Sequence, residues 1–201
     1  MDSCLLLSLR SPYLDDERVY PPLGILKLQS AIKEWTGKRA DISDEYSPEL
    51  FKRYDLIGLS VMTPQREEAK RVLQDVRNYT KAKIAIGGPH AKFYTHEVKN
   101  EDWDYIITDD GERAIASIMQ GTNMPRIITD KLNKQEFADL PRIDRLNNER
   151  FLSRYHYSLK GKTSTTMITA TGCPERCSFC EDAQTAVRWT SLETLAKEMD
   201  D

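Results

Sequence analysis

Four apolar runs that do not alternate with polar residues constrain this chain most: residues 4–9, 55–62, 83–86 and 105–108. A strand wetted on one face alternates apolar and polar positions, so runs without alternation are expected to be covered on both faces. Between them apolar residues recur at steps of three and four, the period of an amphipathic helix. Ile25, Leu28, Ile32 and Trp35 form one such stripe, Ala69, Val72, Leu73 and Val76 a second, and Ala114, Ile115, Ile118 and Met119 a third. Thr63 and Pro64 are predicted to open the second helix as N-cap and first-turn proline. Residues 39–42 form a weaker strand, and residues 126–129 an edge strand or hairpin arm. Strands alternating with helices imply a doubly wound α/β fold on a parallel sheet.

Such a sheet binds ligands beyond the carboxyl ends of its strands, where the strand order reverses. Glycines and small polar residues fall at those ends: Ser60 with Thr63, Gly87 and Gly88 with His90, and Gly111 with Glu112. Glycine after a strand also serves simply to permit a turn with positive φ. The polar loop at residues 10–20 is longer than a tight turn, and loops of that kind after a strand often carry function. Gly161-Lys162-Thr163 looks like the end of a phosphate-binding loop, but His156 occupies the position of its first glycine, which excludes that reading.

The chain has 201 residues, room for one domain and part of another. A formal charge of −3 gives no electrostatic basis for nucleic-acid binding. No apolar run approaches the roughly 20 residues of a membrane span, and Met1-Asp2-Ser3 lacks the basic start of a secretory signal. Of four cysteines, three crowd into residues 173–180, which does not look like a disulfide framework and fits a reducing cytoplasm. Cys4 lies in an apolar run and is expected to be a small buried hydrophobe.

Cys173, Cys177 and Cys180 follow the strand-like residues 165–170, on a loop free to curl around one soft metal centre. A structural zinc ion wants four protein ligands, with the fourth to come from Glu181, Asp182 or His156. An iron–sulfur cube held by three thiolates keeps one iron open.

Gly172-Cys173-Pro174, Cys177 and Phe179-Cys180 together resemble the cluster loop of the radical S-adenosylmethionine (SAM) superfamily. The resemblance implies a [4Fe–4S] cluster on Cys173, Cys177 and Cys180, SAM chelated at the open iron, and Phe179 against the adenine. It implies reductive cleavage of SAM to a 5′-deoxyadenosyl radical, with electrons from a donor such as a flavodoxin or ferredoxin. Pro21-Pro22-Leu23-Gly24, Gly58-Leu59-Ser60, Gly87-Gly88-Pro89-His90 and Asp110-Gly111-Glu112 occur in the order seen in the cobalamin-binding-like domains that precede many radical SAM domains. By that resemblance Ser60, Thr63, Gly87, Gly88, His90, Gly111 and Glu112 border a cobalamin. The subgroup that ligates cobalt through histidine uses Asp-x-His-x-x-Gly, and none of His90, His96 or His156 has Asp two positions earlier, so no protein histidine is expected on the cobalt.

The implied organisation is a flavodoxin-like, cobalamin-binding-like domain at 1–125, a linker that packs locally at 126–162, and the first strand–loop–helix unit of a radical SAM partial barrel at 163–201. Thr190-Ser191-Leu192-Glu193 has the form of a capping box, and Leu192, Leu195, Ala196 and Met199 give the helix after it one apolar face. A single unit leaves a strand edge and that face bare, so the chain is expected to be either a truncated product or one half of a split enzyme whose remaining barrel a second polypeptide supplies. The expected activity is radical SAM chemistry, with cobalamin-dependent methyl transfer or related radical chemistry as its form, incomplete in this chain alone. The competing expectation is a non-catalytic module that binds a corrinoid, a nucleotide or a protein partner.

Overall fold

The computed structural model describes residues 1–200. Six strands, β1 (Ser3–Leu7), β2 (Arg39–Ser43), β3 (Leu56–Ser60), β4 (Lys83–Gly87), β5 (Tyr105–Ile107) and β6 (Ile127–Ile128), pair in the order β2-β1-β3-β4-β5-β6. Every pairing is parallel. The fold is therefore the doubly wound α/β sheet that the apolar runs require. Residues 126–129, open between two readings, supply its parallel edge strand.

Along β1, Leu5 and Leu7 enter one core with Ile57, Leu59, Ile84 and Ile86, while Cys4 and Leu6 enter a second core with Leu56 and Ala85. Both sides of each strand are buried, which is why the sequence shows no alternation. Each fully buried Leu or Ile contributes about 1.5–3 kcal/mol relative to exposure. One face is covered by α1 (Leu23–Thr36) packed beside α6 (Glu112–Gln120). The other is covered by α2 (Pro48–Phe51), α3 (Arg66–Tyr79), α4 (Pro89–Phe93) and α5 (Thr95–Val98), through Phe51, the α3 stripe, Ala91 and Val98. Burial also pushes the Cys4 thiol far up from its ordinary range, so Cys4 behaves as a small hydrophobe.

Three helix details differ from the sequence pattern. Trp35 is exposed, whereas Lys27, Gln29 and Ser30 are buried, because α1 is enclosed by more than the sheet. Thr63 does not cap α3; residues 63–65 form a 3-10 turn in which the Gln65 side-chain oxygen accepts from the Met62 N–H at 2.8 Å. Gln65 Nε2 also donates to Leu9 O at 2.6 Å, tying the loops that leave β1 and β3 in opposite directions.

Beyond β6 the chain forms α7 (Lys134–Ala138), α8 (Glu149–Leu152) and a hairpin of β7 (Ser158–Leu159) and β8 (Lys162–Thr163). This stretch reaches back to α1: the Asp144 N–H donates to Ser30 Oγ at 3.2 Å, and Asn148 Nδ2 to Gln29 Oε1 at 2.7 Å. The run at 165–170 is not a full strand. Only β9 (Ala170–Thr171) forms, antiparallel to β10 (Arg188–Trp189), because the ladder extends no further than that two-residue partner. The last helix, α9 (Leu192–Met199), is capped by Ser191 rather than Thr190, the Ser191 Oγ accepting from the Thr194 N–H at 3.1 Å. Its apolar residues Leu192 and Met199 are 84% and 74% exposed, while Glu198 is buried. Arg145 accounts for this orientation: its Nε and Nη2 donate to Glu198 Oε1 at 3.0 and 2.6 Å, and its Nη2 also donates to Thr166 O at 2.7 Å.

The turn after β4 depends on one glycine. Gly88 has φ 85° and ψ −176°, a region open essentially to glycine alone. A Cβ there would lie 2.8 Å from the Val61 backbone nitrogen, where the Val61 N–H donates to Gly87 O at 2.9 Å. Gly88→Ala is expected to cost about 1–3 kcal/mol in urea denaturation. Gly24→Ala, with open space around it in α1, is expected to be neutral or to gain up to about 1 kcal/mol.

Candidate functional site

The strand order reverses between β1 and β3, and a cleft of about 340 Å³ opens beside that point, between α1 and α6. Small residues let its apolar lining pack closely, a Cβ at Gly58 falling 2.8 Å from Leu6 Cδ2. Gly58 and Ala85 are register partners on neighbouring strands, with Leu6 next to Gly58 on β1. Glycine in a strand interior often marks close approach by a ligand or another backbone. Ile25 and Leu28 of α1 and Ile107 and Ile115 form apolar walls, and the loop after β5 closes one end with Gly111.

Five of the residues singled out in the sequence line this cleft together: Ser60, Gly87, Gly88, Gly111 and Glu112. Thr63 and His90 do not. Thr63 begins the turn into α3, and His90 is buried on the α3–α5 side, its ring 5.3 Å from that of Tyr94. Burial lowers the His90 pKa, and among the described residues its Nδ1 has no hydrogen-bond partner.

The polar wall of the cleft is ionic. Burial pushes the Glu112 carboxyl above the usual carboxylate range, opposed by the Lys27 ammonium. Lys27 is itself pushed down by burial, opposed by Glu112, Glu198 and Asp110. Its Nζ lies 4.3 Å from the centre of the Phe137 ring, and the Arg188 guanidinium 4.8 Å from it. Arg188 Nη2 donates to Asp110 Oδ1 at 2.9 Å and Nη1 to Leu132 O at 2.8 Å, while Nη1 also pairs with Asp110 Oδ2.

The three-cysteine loop rises from β9 directly beside the cleft, and Thr171 of β9 lines it. Its neck is closed by the Cys173 N–H to Thr185 Oγ1 and the Thr185 N–H to Cys173 O, both 2.9 Å. Gly172 has φ 88°, and a Cβ there would lie 2.3 Å from Ala186 O, so the two strands of the neck touch through glycine. Cys173 is half-buried, Cys177 and Cys180 are exposed, and Phe179 is 90% exposed. The loop thus holds all three thiols on one closed segment, yet among the described residues no three His, Cys, Asp or Glu side chains converge as a metal cage. The fourth zinc ligands considered are engaged elsewhere: His156 Nε2 lies 2.6 Å from Asp16 Oδ2, and Asp182 Oδ1 is 2.8 Å from Lys92 Nζ. Glu181 is exposed.

Residues 40–119 match the family model of the B12 binding domain. The matched span runs from β2 nearly to the end of α6, and so includes Gly58, Gly88, Gly111 and Glu112 but neither β1 nor α1. The chain is 23% identical over 175 residues to the "uncharacterized methyltransferase sll1242" of Synechocystis, a match covering 80% of this chain and 29% of that protein. It is 24% identical over 207 residues to the "uncharacterized methyltransferase PH0819" of Pyrococcus horikoshii, covering 89% of this chain and 45% of that protein. It therefore spans less than half the length of either relative. Among solved structures it superposes with TM-score 0.72 and 16% identity on the cobalamin-dependent S-adenosylmethionine radical enzyme OxsB with aqua-cobalamin bound, over 100% of this chain and 31% of that one. At that identity the likeness is one of fold.

In the sequence Asp110 stands out only as part of a motif, and Lys27 and Arg188 are not singled out at all. Lys27 interrupts an otherwise apolar stretch of α1, which is a signal; Arg188 sits in a short polar stretch with none. Arg188→Ala is expected to cost about 3–5 kcal/mol in urea denaturation, since it leaves the Asp110 carboxylate unpaired at a largely buried site. Arg188→Lys is expected to recover only part, because an ammonium lacks the two-pronged guanidinium fit.

Proposed function

We propose that this chain is the corrinoid-holding and cluster-holding part of a cobalamin-dependent radical SAM methyltransferase. The observation that carries the reading is the junction: the glycine-lined cleft at the strand ends and the neck of the three-cysteine loop share Thr171. When bound, the iron–sulfur cluster and SAM supply a carbon-centred radical, and cobalamin supplies a transferable methyl group.

The residues present fit both groups. Leu6, lying over Gly58, joins Ile25, Leu28, Ile107 and Ile115 as the apolar lining of the cleft. The Ser60 hydroxyl and the Glu112 carboxyl are the polar groups there that can bind amide or hydroxyl groups of a ligand. His90, turned to the opposite face, stays away from cobalt, in keeping with the missing Asp-x-His-x-x-Gly pattern. Three thiolates on one loop, two of them exposed, are the right donor set for a cluster with one open iron. Phe179 is free to lie against a nucleoside base. Trp189, Leu192 and Met199, at 65–84% exposed, are the surface that further strand–helix units of a barrel would cover, on this polypeptide or a second one.

The separation of the three thiols favours a second reading, a corrinoid-binding module that carries no cluster. Anaerobic reconstitution with iron and sulfide, read by EPR with and without SAM, separates the two. The proposed function expects a reduced-cluster signal that shifts with SAM and disappears when Cys173, Cys177 and Cys180 are all replaced by Ala. Aquacobalamin binding, followed by absorbance, is expected in the wild type and in that triple variant alike. Gly24→Leu, which adds a side chain to the cleft lining where nothing lies within 4 Å, is expected to weaken it about tenfold or more. A wild-type chain that takes up neither iron nor corrinoid overturns both readings.

A further inference from the structure

A second, smaller hollow of about 190 Å³ lies between the strand ends and the cysteine loop. Its floor includes Gly88, Pro89 and Phe93, and its roof includes Gly172, Asp182 and Ala186. Even drug-sized ligands occupy pockets of about 300–1,000 Å³, and a corrin ring is larger than such ligands. A corrinoid therefore reaches the strand ends only if the roof lifts.

The roof is held at two ends of unequal strength. At one, Arg188 and Asp110 are only 9% and 15% exposed, and Arg188 is additionally bonded to Leu132 O and packed on Phe137. A pair of that kind is costly to break. At the other, an exposed ion pair joins α4 to the loop: Lys92 Nζ to Asp182 Oδ1 at 2.8 Å, with side chains 37% and 56% exposed. Exposed pairs of this kind hold weakly and are screened by salt.

We propose that Lys92 and Asp182 are the releasable latch of this roof and that Arg188 and Asp110 are its fixed end, so that breaking the latch admits the corrinoid. The inference rests on the corrinoid reading above. Lys92 and Asp182 act as positioning residues, setting how often the cysteine loop lies closed over the cleft.

The test uses variants of Asp182, because Lys92 also covers the Phe93 ring at 4.8 Å and replacing it would expose that ring directly. Phe93 is half-buried in the floor of the hollow, so its oxidation in hydroxyl-radical footprinting reports how often the roof lifts. Asp182→Asn is expected to raise that oxidation about two- to fivefold, the range an exposed ion pair supports, while Asp182→Glu keeps the wild-type rate. In stopped-flow absorbance, aquacobalamin association is expected to quicken by the same factor in Asp182→Asn. Raising salt from about 0.05 to about 0.5 M should quicken it in the wild type and leave Asp182→Asn unchanged. Equal Phe93 oxidation in the wild type and both variants overturns the latch. Faster oxidation without faster association overturns its role in admission. A wild type that binds no aquacobalamin refutes the corrinoid reading instead, and the footprinting then still decides whether the latch exists.

Discussion

The guanidinium of Arg188 is the point where the parts of this molecule meet. It bonds the loop after β5 through Asp110, the stretch after β6 through Leu132 O, and the ring of Phe137 on α7, while its own backbone belongs to β10 beside the cysteine loop. Arginine suits this role because its planar fork pairs with a carboxylate and stacks on an aromatic ring at once. Without it the cysteine loop would rest on the α/β layer only through weaker surface contacts. With Lys27, Glu112, Arg145 and Glu198 close by, it forms part of a layer of buried charge between the sheet domain and the final helix. Such layers contribute less to net stability than an apolar interface of equal size, but they tolerate only matched partners. Here they fix which way α9 turns, with Glu198 inward on Arg145 and Leu192 outward.

The glycines shape the wall of the cleft by letting leucines close over them. A Cβ at Gly58 would lie 2.8 Å from Leu6 Cδ2, and one at Gly111 2.9 Å from Leu28 Cδ2. An apolar hollow with a few convergent polar atoms suits a ligand with a large hydrocarbon framework and peripheral amides. Burial pushes the Glu112 carboxyl up while Lys27 opposes the shift, and its oxygens can accept from such amides.

The sheet was legible because unalternating runs and amphipathic stripes are local signals, and the α3 and α6 stripes are buried as the spacing implied. The glycines at the strand ends were legible as positions, and five of the seven residues chosen there share one cleft. Thr63 and His90 lie outside that cleft for one reason: a motif gives the order of residues along a strand end, whereas the side of the sheet each side chain takes depends on the turn that follows. The strand expected at 165–170 failed because strand propensity needs a partner, and β10 supplies only two residues. The packing of 131–162 onto α1 was not legible, since Asn148 to Gln29 and Asp144 to Ser30 join positions more than a hundred residues apart with no periodic trace.

The strand order has a consequence for how this domain could be cut or transplanted. β1 lies between β2 and β3 in space yet precedes both in sequence, and it falls outside the span that matches the B12 binding domain. A segment excised at the edges of that match would keep β2 and β3 but leave an empty lane between them, with the backbone groups of both strands facing solvent. The family-model match and the sheet thus have different boundaries in this chain: the matched segment closes around a strand that lies outside it.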